Sequence, residues 1–399
     1  MRSERGVEVF FMKNSTSVLI FILAVGVFGI LNTEMGYIGL LPALSDHFDV
    51  SVSKASLMVS LFALAIAIAI AAPTLPLVFS GVNRKTVMLL VLAIFIIGNV
   101  ISIFTTNFTV ALVARVIPAF FHPVYVSMAL SVAATSVSAK EAPKAVAKVF
   151  IGVSAGMVLG VPIVNFLANV FTLEISLTFF ALVNIFAFIM TIVFIPSMPV
   201  QEKLSYGSQL KILTKGITWL SILAVTFLNG AVFGIYSYLA EYLDVVTKMS
   251  PYMISIMLFV YGLANIIGNI LAGGLLTIAP VRTVIIYPIA LMILYFAFFF
   301  VSDLAIPTAI FIVIWGVLGG IGGNVNQYWM MSSAPNSPDF ANGLFLTSCN
   351  LGTTIGTGVA GIIIAQIGTK YILFVGIFAL VLGFICILLR NMLYKSTNA

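Results

Sequence analysis

The chain has 399 residues, of which 62% are hydrophobic and only 8% are charged, with a mean hydropathy of +1.21. Soluble domains carry about 25% charged residues, so this composition excludes a water-soluble globular protein. The net charge of +6 comes from Lys and Arg in short segments between apolar runs, not from a basic stripe or arm, which excludes nucleic-acid binding.

Twelve apolar segments follow one another along the chain, and a membrane-spanning helix needs about 20 such residues. They lie at 17–42, 54–79, 86–104, 109–134, 146–171, 175–196, 217–240, 252–277, 283–301, 305–332, 341–367 and 371–389. The longest are expected to tilt or bend, and their continuous apolar character excludes the alternating strands of a closed barrel. The sequence therefore predicts an all-α membrane protein.

The first segment lacks the short apolar region and cleavage site of a signal peptide. Residues 1–11 precede a second Met at position 12, and they are read either as a short cytoplasmic tail or as an upstream start.

The Lys and Arg residues predict the orientation in the membrane. With the N-terminus in the cytoplasm, fourteen of the 18 Lys and Arg residues fall on the cytoplasmic side, and the outside receives only Lys54, Lys248 and Lys370. An even number of spans returns the C-terminus to the cytoplasm. We therefore expect a multi-pass protein of the bacterial cytoplasmic (inner) membrane with both ends inside.

The longest polar interruption falls between segments six and seven. It predicts a six-helix bundle at 1–196, a cytoplasmic linker at 197–216 and a second six-helix bundle at 217–399. The halves resemble each other at an offset of about 196 residues, as Asn32 and Asn229 illustrate at an offset of 197. Equal segment counts and weak internal similarity indicate two pseudo-symmetric repeats, a known plan among transporters.

Two charged residues lie inside the segments of the first half. Glu34 is eight residues from the predicted outer end of segment one, and Arg115 is eight residues from the outer end of segment four. At 1.5 Å per residue both lie roughly 12 Å deep, so they can form a pair. A charge in hydrocarbon is costly and usually functional. We predict that Glu34 exchanges a proton or binds a cationic substrate. Arg115 would tune Glu34 and respond to substrate. The alternatives are snorkelling or a permanent ion pair.

His122 follows Arg115 by two helical turns on a similar face. Its imidazole could relay protons or contact substrate, and the alternative is a hydrogen-bonded core residue. Pro118 and Pro123 are expected to bend this segment.

A bare helical face recurs in both halves. It is formed by Gly152, Gly156 and Gly160, followed by Pro162, in segment five and by Gly352 and Gly356 in segment eleven. Small residues let another helix approach closely. We interpret these faces as a pivot between the halves, with ordinary helix packing as the alternative.

Segment ten combines glycines with amides. Five glycines within 316–323 weaken a helix, and loosened backbone at membrane depth survives only beside protein or a cavity. Amides could bind a polar substrate, or they could satisfy neighbouring backbone groups. The amide candidates are Asn32, Asn229, Asn324 and Gln327. The second half has no charge inside its segments, so we expect the energetic coupling in the first half.

Signatures of catalysis and of cofactor binding are missing from the sequence. There is no GxxxxGK[ST] loop, no HExxH and no GxSxG. The two histidines, with Cys349 and Cys386 as packing residues inside apolar segments, do not suggest a metal centre. We therefore expect no enzymatic activity, no cofactor and no metal.

Over nearly its whole length the chain resembles the major facilitator superfamily. It is more narrowly similar to bacterial drug and sugar efflux permeases of the proton-antiporter type, including the arabinose-efflux-like group. The stretches that carry this similarity are 32–42, 114–122, 152–162 and 350–352.

The chain departs from the family pattern in two places. The superfamily's loop between helices two and three carries a Gly and an Asp before two basic residues. Here Arg84 and Lys85 remain, whereas Pro76 and Ser80 stand near the Gly and Asp positions. In segment five, Val161 takes the place of a common glycine.

The resemblance implies a monomeric secondary transporter that works by alternating access. Its cavity would be lined by segments one, four, seven and ten, and it would exchange protons for small molecules such as drugs, sugars or nucleosides. Uptake by proton symport remains an alternative, as does a receptor or sensor that keeps the fold without transport. A membrane-embedded enzyme would need a second catalytic group near Glu34, for which His122 is a weak candidate.

Overall fold

The computed structural model describes residues 2–55, 57–71, 79, 81–199 and 211–394. These residues are helical apart from short connections, and no strand occurs among them. The chain divides into two compact units, Met1–Leu204 and Ser205–Ala399. Residues 200–210 of the predicted linker lie outside the described residues.

The long helices of the first unit are labelled α1 to α6 in chain order. They are α1 (Arg2–Gly36), α2 (Leu57–Ala71), α3 (Arg84–Phe104), α4 (Phe108–Thr135), α5 (Ala142–Val170) and α6 (Leu173–Phe194). Three short elements separate α1 from α2, namely a 3₁₀ turn (Tyr37–Leu40) and the helices Leu41–His47 and Val52–Ala55.

The long helices of the second unit continue the numbering. They are α7 (Gly216–Tyr236), α8 (Pro251–Ile278), α9 (Pro280–Val301), α10 (Ala305–Met331), α11 (Pro338–Gln366) and α12 (Ile372–Leu393). Short elements occur at Lys211–Thr214, Leu239–Val245 and Thr369–Tyr371.

Length and composition qualify eleven of these helices, within the described residues, to cross a membrane. The second predicted segment, 54–79, corresponds to the short helix Val52–Ala55 and to α2. The described part of α2 ends at Ala71. These helices confirm the predicted all-α membrane fold with six segments in each half. Side chains with hydroxyl or amide oxygens start several helices by accepting a backbone N–H, as Asn107, Thr172 and Ser250 do.

In each unit the first and the fifth helix are in very close contact. A Cβ placed on Gly152 of α5 would lie 2.2 Å from the carbonyl oxygen of Ala24 on α1. In the second unit, a Cβ on Gly352 of α11 would lie 2.2 Å from the carbonyl oxygen of Thr226 on α7. Only glycine permits this backbone approach, and its recurrence reflects the internal repeat.

The predicted glycine faces therefore pack inside their own units. Gly156 and Gly160 continue the contact with α1, and Gly356 continues the contact with α7, where a Cβ would lie 2.4 Å from the carbonyl oxygen of Gly230. Pro162, two residues after Gly160, is exposed and lies within the continuous α5. The predicted close approach thus corresponds to packing within a unit, and a pivot role for these residues stays a prediction.

Candidate functional site

The C-terminal end of α1 changes its backbone geometry next to Glu34. The α-helix ends at Gly36, and the 3₁₀ turn at Tyr37–Leu40 follows. Gly36 lies against the Phe180 ring, where a Cβ would come within 2.6 Å, so a side chain would not fit. Because a helix end leaves carbonyl groups without intrahelical partners, the last turn of α1 needs donors from elsewhere.

Arg115 of α4 supplies those donors. Its Nη1 donates to the carbonyl of Thr33 at 3.1 Å and its Nη2 donates to the carbonyl of Glu34 at 3.0 Å. Its Nε donates to the carbonyl of Met58 on α2 at 2.7 Å. One guanidinium therefore joins α1, α2 and α4 through three charge-assisted hydrogen bonds.

Two aromatic rings flank the same guanidinium. Its central carbon lies 3.5 Å from the centre of the Tyr37 ring and 4.4 Å from that of Phe62. Cation–π contacts of this kind stabilise a cation that has left water. Within the described residues no ion pair joins Arg115 to Glu34, although their equal depth allowed one. The reason is that the freed backbone carbonyls, not the carboxylate, face the guanidinium.

The Glu34 carboxylate instead meets His122. Glu34 Oε2 and His122 Nε2 are 3.0 Å apart, and the two side chains are only 17% and 10% exposed. The contact is a close approach of two ionisable groups, because neither ring nitrogen of His122 nor Oε2 of Glu34 has a hydrogen-bond partner among the described residues. The structure thus brings together two residues that the sequence identified separately, one on α1 and one on α4.

The net charge of this pair depends on the number of protons that it carries. One proton on either partner makes the pair net neutral, whereas loss of that proton leaves one negative charge. The low dielectric of a membrane interior penalises a net charge that lacks a counter-charge. The guanidinium of Arg115, which donates to the Glu34 carbonyl, is a positive charge beside this pair, and a proton-binding role for the pair stays a prediction.

A second contact fixes the backbone beneath Glu34, and the sequence analysis missed it. Asn184 of α6 donates through Nδ2 to Thr33 Oγ1 at 3.1 Å and to the carbonyl of Phe180 at 2.9 Å. Thr33 Oγ1 in turn donates to the carbonyl of Gly29 at 2.9 Å. The available signal was a lone amide in an otherwise apolar stretch of α6, where a polar side chain needs a partner.

Asn32 and Asn229 occupy corresponding positions but have different partners. Asn229 Nδ2 donates to the carbonyl of Cys349 at 2.7 Å and to Thr353 Oγ1 at 2.9 Å. Asn32 is completely buried against α5, and its amide has no hydrogen-bond partner among the described residues. At an offset of 196 residues, Met157 of α5 corresponds to Thr353 of α11. The first unit therefore has no hydroxyl at the position that accepts the hydrogen bond of Asn229 in the second unit.

The two amide candidates of α10 are buried and make contacts with other protein groups. Asn324 Nδ2 donates to Asn269 Oδ1 of α8 at 2.7 Å and to the carbonyl of Gly320 at 3.0 Å. Gln327 Nε2 donates to Asn342 Oδ1 of α11 at 2.9 Å. The expected loosening of the glycine-rich stretch does not occur, because α10 is a continuous α-helix packed on α8. A substrate contact for Asn229, Asn324 or Gln327 stays a prediction.

Arg390 is a buried charge one residue beyond the predicted segment 371–389, and the expected lack of charge inside the segments of the second half stays a prediction. Arg390 lies in the last turn of α12 and is only 6% exposed. Its Nη1 donates to the carbonyl of Trp329 at 2.7 Å, and its Nη2 donates to Ser332 Oγ at 2.8 Å. The predicted segment stopped at residue 389 because the charge itself ended the apolar run, whereas the helix continues to Leu393.

The basic pair at the start of α3 is tied to the end of α6. Lys85 Nζ donates to the carbonyl of Ile192 at 2.7 Å, and the backbone N–H of Arg84 donates to the carbonyl of Met198. Pro76 and Ser80, which depart from the family pattern, lie outside the described residues.

Comparisons with known proteins agree with this architecture. The family model of the Major Facilitator Superfamily matches residues 22–346. The chain is 30% identical over 359 residues to the uncharacterized MFS-type transporter YtbD of Bacillus subtilis, which covers 89% of this chain and 90% of that protein. It is 27% identical over 368 residues to the probable sugar efflux transporter of Helicobacter acinonychis, with 90% and 91% covered.

A solved structure shares the fold. The Escherichia coli fucose:proton symporter FucP superposes with a TM-score of 0.74 at 14% identity, covering 93% of this chain and 98% of that chain. The matched family model spans most of the residues that build both units. The chain therefore belongs to the Major Facilitator Superfamily, a family of membrane transporters, as its resemblance implied.

Proposed function

We propose that this transporter exports small molecules in exchange for protons and that Glu34 carries the exchanged proton. The observation that supports this proposal most strongly is the Glu34–His122 pair, with 3.0 Å between carboxylate and imidazole and little exposure of either side chain. A carboxylate in a membrane segment is kept mainly where it serves a pathway for ions or substrate.

Arg115 prepares Glu34 for this role by holding its backbone. The guanidinium donates hydrogen bonds to three carbonyl groups and contacts two aromatic rings. The Glu34 carboxylate is therefore not held in a fixed ion pair with Arg115. A carboxylate locked to an arginine would resist protonation. The observed arrangement gives Glu34 a fixed position and leaves His122 as the group that shares its proton.

Export is the favoured direction. Relatives that cover nine-tenths of this chain carry the description of probable sugar efflux transporters, and α5 has the glycine pattern that resembles antiporters. Uncharged or weakly charged small molecules, such as sugars, nucleosides or amphipathic drugs, are the substrate classes to test. Protons would enter as substrate leaves, by alternating access of the two sides of the membrane.

We place the protein in the bacterial cytoplasmic membrane as a monomer with both ends inside. The support is the excess of Lys and Arg in the connections on one side, because cytoplasmic loops are enriched in these residues.

Proteoliposomes with an imposed pH gradient test the direction of coupled movement. A panel of sugars, nucleosides and amphipathic drugs would be followed with the gradient in either sense. Exchange predicts that substrate moves towards the more acidic side, and symport predicts the opposite. Binding without movement of any bound compound would favour a receptor or sensor and would contradict the proposal.

A further inference from the structure

Helices α1 and α5 of the first unit line an apolar groove of about 410 Å³ that plays no part in the proton site. Phe21, Val25 and Phe28 contribute from α1, and Ile151 and Ala155 contribute from α5, with Lys148 at one end. The α1 residues follow the three- and four-residue spacing of a single helical face.

The groove is open rather than filled by the side chains around it. Phe21 is 59% exposed, and Val25, Phe28, Ile151 and Ala155 are half-buried. Exposed apolar side chains occur on many of the long helices, and the groove between α1 and α5 is what distinguishes this place. In a membrane-spanning unit, an acyl chain is the group that fits an elongated apolar groove.

Lys148 lines the groove, and a second lysine precedes it on α5. Lys148 is exposed, and Lys144 is exposed one turn earlier on the same face of α5. Among the described residues no carboxylate forms an ion pair with either lysine, and the neighbouring Glu141 accepts a hydrogen bond from Ser138 instead. Their charge is therefore free to attract an anionic headgroup.

The length of the groove matches one leaflet. From Ser17 to Phe28 the lining of α1 covers eleven residue steps, roughly 16 Å at 1.5 Å per residue. Half of the hydrocarbon core of a bilayer is about 15 Å thick. An acyl chain that follows the groove would place its headgroup at the end that carries Lys144 and Lys148.

We propose that this groove binds an anionic phospholipid, with one acyl chain against Phe21 and Phe28 and the phosphate beside Lys144 and Lys148. Basic pockets between membrane helices on the cytoplasmic side recognise anionic headgroups in this way. The apolar lining disfavours a free soluble anion, and the unpaired lysines favour an anionic over a zwitterionic headgroup.

Photochemical crosslinking tests the site without any transport measurement. The intact chain carries p-azidophenylalanine in place of Phe21 and is reconstituted in vesicles of equal parts phosphatidylethanolamine and phosphatidylglycerol. The matched position is Phe186 on α6, which is 50% exposed. After irradiation, mass spectrometry gives the ratio of the two lipids among the adducts. We expect phosphatidylglycerol to be enriched roughly fivefold at position 21 over position 186, the factor expected from one lysine near an anionic headgroup.

Charge reversal supplies the control. Lys148→Glu should remove the enrichment at position 21, whereas Lys140→Glu, which places the same charge before α5, should retain it. An unchanged adduct yield at position 186 verifies that both variants are folded. Equal lipid ratios at both positions, an enrichment that survives Lys148→Glu, or adducts at position 21 that join peptides of the chain itself would each overturn the proposal.

Discussion

A carboxylate and an imidazole 3.0 Å apart interact strongly when both are charged, since little water separates them at this burial. In this transporter the Glu34–His122 pair lies between α1 and α4. Arg115 and the Thr33–Asn184 contact fix the α1 backbone next to Glu34. In the proposed function, different residues therefore control the position of Glu34 and its protonation, and substitutions can separate the two effects.

Glu34→Gln should abolish substrate movement driven by a pH gradient while leaving the fold intact. Glutamine has nearly the same shape and can still contact His122, but it has no proton to release. Vesicle transport assays measure the loss. The matched control is Glu174→Gln, because Glu174 also faces a histidine, His47 at 3.6 Å, but its side chain is 49% exposed. Equal losses in both variants would contradict a specific role for Glu34.

Arg115→Ala should lower thermal stability in detergent. The substitution removes three hydrogen bonds and leaves buried carbonyls unsatisfied, for which a cost of about 1 to 3 kcal/mol is expected. Arg115→Lys should rescue little, since an ammonium cannot reach three carbonyls or stack between rings as a guanidinium does. Lys148→Ala, at an exposed position, provides the control. Unchanged melting with lost transport would instead assign Arg115 to substrate or proton movement.

The residue types at the site were predictable from sequence, whereas their partners were not. A charge inside an apolar segment is visible without a structure, which is why Glu34 and Arg115 stood out. Which groups they meet depends on the rotation of each helix and on the local break after Gly36, and apolar segments specify neither. His122 could therefore be placed near the site but not identified as the partner of Glu34.

At the scale of helices, the two units repeat the same close contact between a first and a fifth helix. Hydropathy predicted the helix positions to within a few residues in most segments, because membrane helices must be long and apolar. The break at the end of α1 was not predicted, since Gly39 and Pro42 are compatible with either a bend or a helix end. The buried position of Arg390 was also missed, because charge alone was taken as the mark of an aqueous end.

Gly152→Ala should destabilise the first unit. The new Cβ would stand 2.2 Å from the carbonyl oxygen of Ala24, so α1 and α5 would have to separate. Overpacking of this kind costs about 1 to 3 kcal/mol. Gly274→Ala is the matched control, because nothing lies within 4 Å of its Cβ position. Thermal melting of both variants in the same detergent provides the comparison, and equal melting temperatures would contradict the close contact.

Asn229→Ala should cost more stability than Asn32→Ala. Asn229 donates to two groups on α11, and hydrogen bonds between membrane helices contribute about 0.6 to 2 kcal/mol. Asn32 has no partner to lose within the described residues. Melting temperatures of the two variants measure the difference. The reverse order would indicate that Asn32 binds a group outside that part of the chain.

At the scale of the whole molecule, family membership follows from the sequence, and orientation rests on the distribution of Lys and Arg. On a background without Cys349 and Cys386, Lys248→Cys should react with a membrane-impermeant maleimide in intact cells. Lys140→Cys should react only after the membrane is permeabilised. The reverse pattern would contradict the proposed orientation and would place the lysines of α5 in the outer leaflet.

The most direct test of proton exchange at Glu34 is proton release on substrate binding. Purified protein in weakly buffered detergent solution is mixed with a compound that the vesicle assay identifies as substrate, and a pH-sensitive dye records the protons. Wild type and Glu174→Gln should each release protons, whereas Glu34→Gln should bind the compound without release. Equal release from Glu34→Gln would show that the exchanged proton resides elsewhere.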